Sequence, residues 1–258
     1  MNGMLTKITY LGIIQESLMK EISEPRHLEP HLNESSSMRD FVFGFGDGVN
    51  TSLGLAAGVG GAAVSSDLII LAALVAMFTG AKAMAVQNYL AVKSQRELLT
   101  SEINRENWEI ENKPEDERKE IVDIYKAKGF TGKDLEMIVD KITSDKKVWL
   151  DTMLTEELNL NLEILGNPIK SALRMFGAFL VGGILPIIPF FFSSGFTPLF
   201  IAIGMSLTAS FIVGAVKSRM ANTSLIKGGI EMAGLGTGIA LIGYGIGSEL
   251  ASIGIIKV

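Results

Sequence analysis

The sequence predicts an all-α integral membrane protein of five transmembrane helices, interrupted after the second by a polar insert of three helices. Three observations carry that prediction. Apolar stretches at 41–64, 68–92, 175–194, 197–216 and 225–248 are each ~20 residues or longer, enough to cross ~30 Å of hydrocarbon as a helix. Charge is segregated: of 258 residues 48% are hydrophobic and 20% charged, yet residues 94–163 alone hold 18 acidic and 11 basic side chains. The short turns after the first and third spans contain no lysine or arginine, whereas Arg39, Lys93, Arg96, Lys170, Arg174, Lys217, Arg219 and Lys227 crowd the opposite flanks. The positive-inside rule then places the N-terminus, the insert and the turn near Asn222 in the cytoplasm, with the C-terminus outside.

Composition removes several function classes. The absence of cysteine rules out thiolate metal sites and disulfides, so a metal must be held by carboxylate, thioether, imidazole or carbonyl groups. Two histidines and no pairing of a nucleophile with a base argue against an enzyme. A formal charge of −5 without a basic face gives no footing for nucleic acid.

Residues 1–40 form an N-terminal cytoplasmic segment. Leu5, Ile8, Leu11, Ile14, Leu18 and Ile22 make an apolar stripe suited to an amphipathic interfacial helix, and the apolar run before Gln15 and Glu16 is too short for a secretory signal. His27 and His31 stand four apart, but Pro30 disfavours a helix across them, so they read as an ordinary surface segment. Residues 41–93 form the first hairpin, turning at Ser65 to Asp67. Its first span carries one charge, Asp47, within RDFVFGFGDGVNTSLGLAAG, and a lone charge at that depth costs roughly 2.5 to 3.5 kcal/mol on insertion scales. Its second span carries Lys82, two residues from Met84.

The insert occupies 94–170. Its first helix continues the second span to about Glu111 and stops at Asn-Lys-Pro, with Pro114 placed to open the next helix. That second helix begins with acids and ends with lysines before Gly129, as the helix dipole favours. The third starts at Thr131, with Asp134 as a box-like cap, breaks near Ser144 and resumes. Trp108 and Trp149 are expected to pack these helices together. Residues 171–250 supply spans three to five; in the fifth, Gly234 with Gly238 and Gly243 with Gly247 have the spacing of close helix packing.

Two constellations could carry chemistry. In the insert, Glu102, Glu106 and Glu109 share one helix face, Glu117 and Glu120 stand three apart, and Met153 and Glu157 four apart. Such faces are either solvated or, with a thioether among the carboxylates, suited to Fe²⁺ or Mn²⁺ rather than Ca²⁺ or Mg²⁺. In the spans, Asp47 and Met84 could face one another as a hard and a soft ligand. Alternatively, Asp47 pairs with Lys82, or Met84 simply fills space.

The order RDFVFGFGDGVNTSLGLAAGVGGA, MAVQNYLAVKSQRE, an acidic helical insert ending WLDTMLTEEL, FGAFLVGGILPIIPFFF, and GAVKSRM before a glycine-rich span resembles the vacuolar iron transporter family from Arg39 to Ser248. The resemblance implies a homodimer of five-span subunits that moves Fe²⁺, and often Mn²⁺, out of the cytoplasm against protons, with no cofactor beyond the transported ion. It implies an ion path lined by Asp47 and Met84, and an insert that binds metal through Glu106, Glu109, Glu117, Glu120 and Glu157 with Met153. This chain departs from the family pattern with Leu154 in place of a second methionine, Ala76 where a glutamate is common, and Gln87, Asn88 and Tyr89 where Gly-Glu-Tyr is common. The other reading is a membrane protein of the same fold that binds or senses metal without transporting it.

Overall fold

A computed structural model of the chain describes residues 31–62, 65–158 and 167–254, and these are helical throughout with no strand among them. The amphipathic stripe and His27 lie outside the described residues. The elements are α1 (His31–Gly61), α2 (Ser66–Asn112), α3 (Pro114–Ala127), α4 (Gly132–Thr143), α5 (Lys146–Thr152) with a π-helical turn (Met153–Glu157), α6 (Pro168–Ile184) with a 3₁₀ turn (Ile188–Phe191), α7 (Phe196–Met220) and α8 (Leu225–Ser252).

Helix α2 sets the architecture. Its 47 residues run unbroken, about 70 Å at 1.5 Å per residue, more than twice the apolar thickness of a bilayer. The N-terminal half lies in an apolar bundle with α1, α6, α7 and α8, and the C-terminal half projects as the stem of the insert. Lys113 ends it, its N–H bonding to the Glu109 carbonyl, and Pro114 opens α3. The insert closes over one core of Ile110, Ile121, Leu135, Val139, Ile142, Trp149, Leu150, Met153 and Leu154. Trp149 joins that core as expected. Trp108 does not: it is exposed and lies under the Lys113 ammonium. Thr131 takes the extended conformation of an N-cap but makes no side-chain cap bond, so the capping box read from Asp134 is not formed. The cap that does form is Asp145, whose carboxylate accepts from the N–H groups of Lys147 and Val148 to start α5.

In the bundle α1 is the hub, packed on α2, α6, α7 and α8. Glycine lets the backbones meet. A Cβ at Gly48 would strike the carbonyl of Phe179 on α6, and one at Gly247 the carbonyl of Gly58 on α1. Gly243 and Gly247 therefore pack as their spacing suggests, against α1, whereas Gly234 and Gly238 face open space within the chain. The third apolar stretch is not one helix. Pro186 and Pro189 have no N–H to donate, so α6 ends at Ile184 and the chain continues through three-residue turns such as Ile187 N–H to the Ile184 carbonyl. Among the described helices α2, α7 and α8 are long and apolar enough to cross a membrane on length and composition alone.

Candidate metal centre

The acidic face of α2 is laid beside α3 and the π turn, which packs on both. Glu106 is 2% exposed, and its Oε1 accepts from Arg105 Nη2 at 3.1 Å. Arg105 also reaches Glu102 at 2.9 Å and Glu109 at 3.6 Å. Across from them Glu117 is 4% exposed with a buried Oε2 that has no hydrogen-bond partner, while Glu120 is exposed at the rim. The π turn, marked by Leu158 N–H bonding to the Met153 carbonyl at 3.2 Å, presents Glu157 to Glu120. Inserted residues of this kind recur at functional sites because they re-aim side chains without breaking the helix.

The electrostatics record this crowding. Glu117 is pushed up to about 7 by burial and then by the charges of Glu120, Glu106, Glu109 and Glu157. Glu157 is raised to about 7 by desolvation and by Glu120 and Glu106. Burial raises Glu106 as well, opposed by Arg105. The five glutamates are thus mutually coupled, although among the described residues no three are closed to metal-ligand geometry as they stand. Met153 is fully buried in the insert core, at the start of the π turn that also carries Glu157.

The span residues are arranged differently. Asp47 stands on an exposed face of α1, one turn beyond Phe43. Lys82 is exposed on α2, and the two make no ion pair within the chain, so the internal pair considered from sequence is not formed. Elsewhere in the bundle Lys217 lies 4.0 Å from Glu231. Met84 is half-buried on the wall of an open groove of about 300 Å³, with Arg39, Phe43, Gln87, Asn88, Ala91 and Met175.

Beside that groove lies a residue that sequence reading passed over. Asp40 is fully buried. Its Oδ2 accepts from Ser171 Oγ at 2.5 Å and Arg174 Nη2 at 3.2 Å, and Arg39 lies 3.6 Å from Oδ1. Asn88 donates to Ser171 Oγ at 2.8 Å, which makes the departure at position 88 part of a polar clamp joining α1, α2 and α6. The signal was the charge pair Arg39-Asp40 at the head of the glycine-rich motif.

A profile of the VIT family matches residues 38–248, the bundle and insert together. The chain belongs to the VIT family. It is 30% identical over 225 residues to vacuolar iron transporter 1 of Oryza sativa subsp. japonica, covering 87% of this chain and 89% of that protein. It is 33% identical over 238 residues to a vacuolar iron transporter of Toxoplasma gondii, covering 87% of this chain and 78% of that one. A third relative, the vacuolar iron transporter of Plasmodium falciparum, is 31% identical over 217 residues, 80% of each chain. These VIT relatives are named as transporters, not as catalysts, in keeping with a site of carboxylates without a nucleophile.

Proposed function

We propose that this chain is a proton-coupled exporter of divalent transition-metal ions, Fe²⁺ foremost and Mn²⁺ with it, working as a homodimer of five-span subunits. The insert and N-terminus face the cytoplasm. The observation that carries the proposal is the convergence of Glu106, Glu109, Glu117, Glu120 and Glu157 at the base of α2, on the helix that continues into the bundle past Met84. Mutually repelling carboxylates, two of them raised to about 7, are stabilised by a divalent cation and surrender protons to it. The ion then passes to Asp47 and Met84. Asp47 is exposed on the subunit's face, and an exposed carboxylate on an apolar helix surface acquires its partner from a second copy or from the ion itself.

The second reading, a metal-binding membrane protein that does not transport, is favoured by Ala76 in place of an acid and by Lys82 near Met84. Protein reconstituted in liposomes and given Fe²⁺, Mn²⁺, Co²⁺ or Zn²⁺ under an imposed pH gradient separates the two. Transport requires ion flux that follows the gradient and moves protons the other way; ion binding with no flux supports the second reading.

A further inference from the structure

Arg105 is the one cation of α2 set inside its acidic stripe, and its guanidinium spends a different nitrogen on each of three carboxylates: Nη1 on Glu102, Nη2 on Glu106 and Nε on Glu109. Two of those acids belong to the proposed metal centre, and Glu106 is the most buried of them. Among the described residues the ion pairs of Arg105 are all with α2, so one guanidinium serves three of its acids, with Lys113 3.9 Å from the other oxygen of Glu109, while Glu117, across the site, keeps a buried oxygen without a partner.

We propose that Arg105 is a tethered competitor for the metal ion: guanidinium and divalent cation compete for Glu106 and Glu109, and loading moves Arg105 onto Glu102. The proposal rests on reading the insert as a metal centre. A bound ion lies ~2.0 to 2.2 Å from a carboxylate oxygen, and the guanidinium holds Glu106 Oε1 at 3.1 Å and Glu109 Oε2 at 3.6 Å, so an ion on these two acids would face a like charge at close range. Glu102 lies outside the proposed ligand set and is more exposed than Glu106 or Glu109, and Arg105 is itself half-exposed on a long flexible stem, free to follow it. The competitor keeps the acids from repelling one another and lowers the affinity, so an ion collected by the insert is also released from it.

Calorimetric titration of the full-length protein in detergent with Mn²⁺ tests this, comparing wild type, Arg105→Gln and Arg105→Lys. The expected result is binding about tenfold tighter in Arg105→Gln, with Arg105→Lys between that variant and wild type. Folded Arg105→Gln that binds Mn²⁺ equally or more weakly than wild type overturns the proposal and leaves the metal centre standing, because Arg105 would then only position the carboxylates. Absence of Mn²⁺ binding in every variant, wild type included, removes the metal centre and the proposal with it. A second readout needs no mutation: Mn²⁺ should increase phenylglyoxal modification of Arg105 in wild type, followed by mass spectrometry. Unchanged or reduced modification at saturating Mn²⁺ overturns the displacement.

Discussion

Glu106 and Asp47 are carboxylates on adjoining long helices, and their surroundings are nearly opposite. Glu106 is buried, paired with Arg105 and coupled to four other glutamates. Asp47 is exposed on a helix of glycine and apolar residues, with no ion pair among the described residues. The insert can gather acids because water and a neighbouring guanidinium offset their repulsion. An apolar span can hold only one, and only where something outside the subunit meets it. The contrast fits a division of labour in which the insert collects an ion and the bundle admits it.

Breaking the bundle side should give the largest effect. Asp47→Asn is expected to reduce Fe²⁺ flux in liposomes roughly a hundredfold, about 2.7 kcal/mol of barrier, while the melting temperature holds. If that variant instead loses stability, and Asp47→Asn with Lys82→Met regains it, the aspartate serves the lysine of a second copy. Next in size, Gly48→Leu drives a side chain into the α6 backbone at Phe179 and should cost about 2 kcal/mol of bundle stability; an unchanged thermal midpoint would contradict the α1–α6 contact.

On the insert side, replacing Glu106 and Glu120 together by Gln should weaken Mn²⁺ binding by at least about tenfold in calorimetry, and equal binding by the double variant would sink the centre. A further effect is on pH. Glu117 and Glu157 rise from 4.5 to about 7 in the folded protein, so the folded state holds more protons than the unfolded one between those values. Stability without metal should therefore fall as pH climbs from 4.5 to about 7 and level off above it. Saturating Mn²⁺ should flatten that slope, because the ion replaces the protons; scanning calorimetry across this window reads both.

Much of this was legible in the chain because single residues act locally. Pro114 and Gly129 bracket α3, the apolar runs delimit the long helices, and Gly243 with Gly247 mark a close contact. What was not legible depends on residues far apart in sequence. Asp40 meets Ser171 and Arg174 only after α1 and α6 pack. The stretch containing Pro186 and Pro189 is apolar enough to pass for one span, and hydropathy does not register a missing N–H.

On the proposed function, collecting the ion and moving it are separate tasks of the two regions. Its most direct test pairs Mn²⁺ binding with Fe²⁺ flux in the same Asp47→Asn preparation. The expected result is wild-type binding with flux lost. Flux at the wild-type rate in Asp47→Asn would contradict it.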